Sequence, residues 1–185
     1  MAEESIVLVD DDNRQIGVAP KLASHHAATP LHRAFSCFVF NRQGEFLLTQ
    51  RALAKKVFPG IWTNSCCGHP APGESTGDAV RRRLQEELGM TPARLTCVLP
   101  EFRYRAEMDG VVENEICPVY VAFCDDPPRI NRAEVETCQW IAWQTFVDRV
   151  LKDPRSLSPW SVLETQELLE CPAFQNLVNA ERAAK

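Results

Sequence analysis

Apolar and polar positions change places at short intervals along much of the chain, and the intervals are those of strands. Residues 6–9 and 16–19 are brief apolar runs around the polar stretch Asp10–Gln15, which predicts a hairpin. Residues 34–41 and 45–51 read as two more strands, joined at Asn41-Arg42-Gln43-Gly44. A hydrophilic connection, Ala52–Gly60, leads to another expected strand over Ile61–Cys67. Further strands are expected over 94–105 and 111–124, turning at Met108-Asp109-Gly110, and near 137–143.

The period changes to that of a helix between Ser75 and Gly89. Ala79, Val80, Leu84 and Leu88 form an apolar stripe at helical spacing. Ser75 or Thr76 supplies the N-cap, Asp78 complements the first turn, and Gly89 provides the stop. A second helix is expected over 143–152, ended by Pro154, and Ser158-Pro159 opens a third with serine as N-cap and proline in the first helical position. Residues 171–185 read as a short helix or a tail. The pattern is that of an α/β chain, a mixed β-sheet with helices packed around it in one domain over 1–185, opened by the hairpin of residues 1–20.

Composition narrows the function. Apolar residues at 45% and charged residues at 24% suit a globular core in a chain of 185 residues. No apolar run is long enough to span a bilayer, and Met1-Ala2-Glu3-Glu4-Ser5 lacks the basic and apolar parts of a secretory signal, so a cytoplasmic protein without a membrane partner is expected. A net charge of −5 argues against nucleic acid. Within that acidic total, Arg51, Lys55 and Lys56 cluster, and Arg81, Arg82 and Arg83 form a run, as would suit a small polyanion. The eight cysteines include no C-x-x-C pair, and a chain of this size needs no disulfides, so most are read as small buried hydrophobes. Neither G-x-G-x-x-G nor G-x-x-x-x-G-K-[ST] occurs, so no flavin or NAD(P) site is expected.

Three constellations carry candidate chemistry. The first runs from Gly68 through Glu74 to Arg82-Arg83-Leu84-Gln85-Glu86-Glu87-Leu88-Gly89-Met90. It resembles the Nudix box, in which helix-borne carboxylates hold Mg²⁺ against diphosphate oxygens. A hydrolytic box has Glu where this chain has Arg83, which favours holding a diphosphate over cutting it. The second is His25, His32, His69, Glu113 and Glu115. On a helix His25 and His32 would lie about 10 Å apart along the axis, too far to share an ion, but Pro30 points to a loop that could converge them. Glu113 and Glu115, spaced i, i+2, share one face of a strand. Three imidazoles and two carboxylates suit Mn²⁺, Mg²⁺ or Zn²⁺. The third is Thr63-Asn64-Ser65-Cys66-Cys67-Gly68-His69-Pro70. In extended backbone Cys67 and His69 point one way and Cys66 the other, so Cys67 should share a pocket with His69 while Cys66 packs in the core.

Several stretches together resemble the type 1 isopentenyl-diphosphate delta-isomerases in their compact bacterial form. They are Leu31–Ser36, Arg51-Ala52-Leu53 with Lys55-Lys56, Pro59–Ser65, Cys67–Pro70, Phe102–Ala106, Glu113–Val119 and Ser158-Pro159-Trp160. The resemblance implies a Nudix-like α/β/α sandwich and the interconversion of isopentenyl and dimethylallyl diphosphates, one proton being added to the alkene and another removed from the far side. It implies Cys67 and Glu115 as the two acid/base groups, Tyr104 assisting near Glu115, and Trp160 presenting its ring to the developing cation. It further implies His25, His32, His69, Glu113 and Glu115 as ligands of the first metal, Glu87 toward a Mg²⁺ on the diphosphate, and Lys21, Arg51, Lys55 and Arg83 as phosphate contacts. The partner expected is a small isoprenoid diphosphate, acted on by a monomer or weak homodimer. The rival readings are a Nudix diphosphohydrolase and a non-catalytic Nudix-fold nucleotide-binding module.

Overall fold

The computed structural model describes residues 4–183. Strands β1 (Ser5–Val9) and β2 (Gln15–Pro20) form the expected hairpin. Helix α1 (Lys21–Ser24), a single turn that the apolar pattern does not reveal, leads to the short β3 (His32–Arg33). Strands β4 (Phe35–Phe40) and β5 (Glu45–Arg51) match expectation.

The three longer strands expected from the sequence each break in two. Ile61–Cys67 becomes β6 (Trp62–Thr63) and β7 (Cys66–Gly68), parted at Asn64-Ser65. Residues 94–105 become β8 (Arg94–Leu99) and the start of β9 (Arg103–Met108), parted at Pro100. Residues 111–124 become β10 (Val111–Ile116) and β11 (Val119–Phe123), parted at Pro118. Proline has no N–H to give a ladder, so each of the last two breaks is where the chain leaves one sheet for another. Strands β9 and β10 join a five-stranded sheet of order β2-β1-β3-β10-β9. Strands β8 and β11 join a seven-stranded sheet of order β12-β5-β4-β11-β8, with β6 on β5, β7 on β4, and β12 spanning Val135–Ala142. There are thus two mixed sheets where the sequence suggested one.

Helices cover both faces of the larger sheet. Along β4, Phe35, Cys37 and Val39 point to one side and Ser36, Phe38 and Phe40 to the other, the period of two that a doubly covered strand imposes. The first side packs on α2 (Thr76–Leu88) through Val80, Leu84 and Leu88. The second packs on α3 (Trp143–Lys152), α4 (Pro159–Glu170) and α5 (Pro172–Ala183) through Phe146, Val150, Leu168 and Phe174. Each such side chain contributes roughly 1.5–3 kcal/mol by leaving water. This is the expected α/β/α sandwich. Ser75, rather than Thr76, caps α2, its Oγ accepting from Asp78 N at 3.2 Å, and Gly89 closes the helix with a φ of 62°. Ser158 caps α4 ahead of Pro159. The C-terminal residues are helical through Ala183; Ala184 and Lys185, like Met1–Glu3, lie outside the described residues. No described helix is long and apolar enough to cross a membrane.

Candidate active site

Register on the smaller sheet assembles half of the site. Glu115 of β10 lies opposite His32 of β3 on one side and Tyr104 of β9 on the other, so three side chains form a row across three strands. Glu113 follows on the same face, two residues back. His25 enters from the end of α1; the chain then turns at His26–Thr29, where Thr29 N donates to His26 O, and returns His32 beside it. The loop therefore achieves the convergence that a helix would forbid, with the His25 and His32 ring centroids 5.1 Å apart. His69, just past β7, completes a cluster in which one ligand atom from each of the five residues lies within 4.8 Å of every other.

The donor set suits a divalent ion. His25 Nδ1 and His32 Nδ1 sit 2.6 Å and 2.9 Å from the carbonyls of Lys21 and Pro30, to which they donate. Their Nε2 lone pairs then face inward, the usual arrangement for a metal-binding imidazole. His25 Nε2 is 3.1 Å from Glu113 Oε2, and His32 Nε2 and His69 Nε2 are 3.3 Å and 3.0 Å from Glu115 Oε1. Glu113 Oε2 is buried without a hydrogen-bond partner. Where those lone pairs face carboxylate oxygens a positive charge belongs between them, a ring proton on His32 or His69 toward Glu115 or a divalent ion shared by all five residues. An ion with bonds of about 2.1 Å spans about 4.2 Å, close to the size of the cluster. Burial opposes ionisation of Glu115, yet the His32 and His69 imidazoles hold it well below the carboxylate range. Burial, against the pull of Glu115, takes His69 down to about 3. An ionised carboxylate beside a neutral imidazole is the ligating state of each.

The other half of the site comes from the larger sheet. Cys67 of β7 pairs in register with Ser36 of β4, and Cys66 pairs with Cys37. Cys66 packs with Phe35, Leu47 and Leu84 under α2. Cys67 turns the opposite way, its Sγ 3.4 Å from Ser36 Oγ and donating to Asn64 Oδ1 at 3.1 Å. Burial and the nearby Glu164 carboxyl push the thiol up to about 12 against the Ser36 and Asn64 contacts. Asn64 Oδ1 also accepts from Trp160 Nε1 at 3.1 Å, tying α4 to the thiol. The Trp160 ring meets Phe58 edge-on at 5.1 Å between centroids and has the Arg51 guanidinium 5.7 Å from its centroid. Tyr104, whose hydroxyl burial and Glu115 raise well above the usual range, lies 6.0 Å from Trp160 between ring centroids.

These groups line one cavity of about 390 Å³. Cys67, His69, Tyr104, Glu115 and Trp160 form one part of its wall, and Lys21, Arg51, Lys55 and Arg83 form the cationic part. Arg51 is fixed by donating to the carbonyls of Val57 and Phe58 at 2.8 Å and 3.1 Å. Arg83 is buried and bridges Glu87 at 2.5 Å, with Glu4 and Glu134 each at 3.3 Å. Glu87 lies behind Arg83, on a small void shared with Lys55 and Glu134, and does not line the main cavity.

Several participants are missed by sequence reasoning. Glu4 reaches Lys21 at 2.6 Å, and Glu134 pairs with Lys55, so anions of the chain itself face the phosphate cations. Burial would raise Glu4, but Lys21 and Arg83 hold it at about 2. Ser36 and Asn64 lie inside quoted motifs without any assigned role. Glu164 was detectable as an acid four residues after Trp160 on the buried stripe Trp160, Ser161, Glu164, Thr165, Leu168.

The NUDIX domain model matches residues 30–161. The chain is 54% identical over 171 residues to a protein of Saccharopolyspora erythraea named isopentenyl-diphosphate Delta-isomerase, covering 92% of this chain and 88% of that one. It is 46% identical over 167 residues to the Klebsiella pneumoniae protein of the same name, covering 90% and 91%. A solved MutT NUDIX hydrolase from Burkholderia pseudomallei shares the fold at a TM-score of 0.54 and 24% identity, covering 72% of this chain and 96% of that one.

Proposed function

The chain belongs to the isopentenyl-diphosphate Delta-isomerases of the NUDIX domain family, and we propose from that premise how its own residues carry the reaction. It is an enzyme that interconverts isopentenyl diphosphate and dimethylallyl diphosphate. Moving the double bond requires one carbon of the alkene to gain a proton and another to lose one. Two acid/base groups on opposite sides can do this without turning the substrate. Cys67 and Glu115 take these roles, exchanging them when the reaction runs in reverse. The observation that carries this assignment is that the two line one cavity from different sheets.

Tyr104, beside Glu115 in register, serves proton delivery on that face. Trp160 offers its ring to the tertiary cation formed between the two transfers, a contact worth about 0.5–2 kcal/mol. Lys21, Arg51, Lys55 and Arg83 hold the diphosphate, displacing Glu4 and Glu134 as partners of the cations. His25, His32, His69, Glu113 and Glu115 would hold Mn²⁺, Mg²⁺ or Zn²⁺, supplying charge neutralisation and setting the proton affinity of Glu115; Glu87, which lies behind Arg83, would contribute to a Mg²⁺ on the diphosphate only on parting from that guanidinium. Arg83 in the box favours retention of the diphosphate, so hydrolysis is not the activity. The whole chain acts as one domain, as a monomer or weak homodimer.

Cys67→Ala tests the assignment. Turnover should be nearly abolished while metal content and diphosphate binding stay at the native level. A variant with native turnover would remove Cys67 from the mechanism.

A further inference from the structure

Between β6 and β7 the ladder stops at Asn64 and Ser65, and the first of these is held more firmly than a connection requires. Asn64 is fully buried. Thr49 Oγ1 of β5 donates to its carbonyl at 2.7 Å. Ser65 Oγ donates to Leu47 O at 2.6 Å and accepts from Val39 N at 2.8 Å. Side chains thus replace the missing ladder bonds and clamp the break to β4 and β5.

The partners of the Asn64 amide fix which way it points. The carbonyls of Cys37 and Cys66, each at 3.3 Å, can only accept, so Nδ2 faces them. Trp160 Nε1 can only donate, so Oδ1 faces it at 3.1 Å. The same oxygen accepts from Cys67 Sγ at 3.1 Å and from Thr63 Oγ1 at 2.8 Å. Ser158, the cap of α4, stands 2.7 Å from that threonine oxygen. One oxygen therefore serves three donors with two lone pairs. Two of the donors are the acid/base thiol and the ring offered to the cation, and they come from different elements, β7 and α4. Asn64 stands behind them and does not line the main cavity.

We propose that Asn64 is a positioning residue for both groups: its Oδ1 sets the direction of the Cys67 thiol and the tilt of the Trp160 ring against each other, so that thiol and ring meet one alkene at a fixed spacing. The inference rests on the proposed roles of Cys67 and Trp160.

Two variants separate the acceptor from bulk. Asn64→Leu is of nearly the same size and has no acceptor. Asn64→Asp keeps an oxygen toward Cys67 and Trp160, and its second oxygen, against the Cys37 and Cys66 carbonyls, keeps a proton. With isopentenyl diphosphate as substrate, Asn64→Leu should lose at least about tenfold in kcat through misplacement of the reacting groups, at unchanged KM because the cationic wall is untouched. Asn64→Asp should stay within about threefold, since the shared acceptor remains. The infrared S–H band of Cys67, taken by difference from Cys67→Ala, and the indole N–H resonance of Trp160, taken by difference from Trp160→Phe, should both shift in Asn64→Leu and move far less in Asn64→Asp. Native kcat in Asn64→Leu, equal losses in the two variants, or unmoved signatures in Asn64→Leu would overturn the proposal. If Asn64→Leu fails to fold, Trp160→Phe carries the test without touching Asn64. It removes one donor from the shared oxygen, so the Cys67 S–H band should move to lower frequency, and an unmoved band overturns the proposal. Native turnover in Cys67→Ala fails the reading of Cys67, whereas an inactive Cys67→Ala beside a fully active Asn64→Leu fails this inference alone.

Discussion

Glu164→Gln changes how stability depends on pH, and the size of the change follows from the full burial of this carboxyl on α4. The carboxyl rises from 4.5 to about 8 on folding, first through burial. Between those two values the folded chain holds a proton that the unfolded chain has released. Stability therefore falls as pH rises, by about 1.4 kcal/mol per pH unit, and the loss approaches roughly 5 kcal/mol above the upper value. Glutamine has no proton to lose, and all other groups titrate alike in both proteins and cancel in the difference. A buried amide short of partners costs about 1–3 kcal/mol, but equally at every pH. The stability of Glu164→Gln relative to the native protein should thus improve steadily from about pH 5 to about pH 8. Urea unfolding of both proteins at fixed metal concentration measures it. A difference that stays flat across that range would show that Glu164 is solvated or paired, and the argument for a neutral acid would fail.

Three further outcomes are expected. Cys66→Ala should cost on the order of 1 kcal/mol in urea unfolding, as a small truncation under α2, while leaving turnover at the native level. Arg83→Glu would set a fifth carboxylate among Glu4, Glu86, Glu87 and Glu134; it should raise KM by at least about tenfold, the cost of one charged contact, without efficient phosphate release. Chelation should abolish turnover and lower the melting temperature, since it removes the cation from five converging donors, and Mn²⁺, Zn²⁺ or Mg²⁺ should restore both.

Strand alternation at a period of 2 and the stripe Ala79–Leu88 at 3.6 made the individual elements legible, whereas the α/β/α layering came with the resemblance to the isopentenyl-diphosphate delta-isomerases. The opposed directions of Cys66 and Cys67 followed from the same alternation. The broken strands were less legible: Pro100 and Pro118 mark the breaks, but nothing local says that the chain changes sheets there. Convergence of His25 on His32 needed a loop geometry that Pro30 suggests and does not specify. The row His32–Glu115–Tyr104 depends on register between strands far apart in the chain. Glu4, Glu134 and Glu164 were missed for a related reason. Glu4 and Glu134 act on partners distant in sequence, which a lone glutamate does not disclose, and Glu164 shows only its place on a helical stripe with Trp160 and Leu168.

Incubation of the protein with isopentenyl diphosphate and divalent metal in deuterated water, followed by analysis of the products, tests the central claim most directly. Protonation of the alkene by one face and deprotonation by the other predicts dimethylallyl diphosphate carrying deuterium, with no release of phosphate. Phosphate release without isomer, or isomer free of deuterium, would contradict the account.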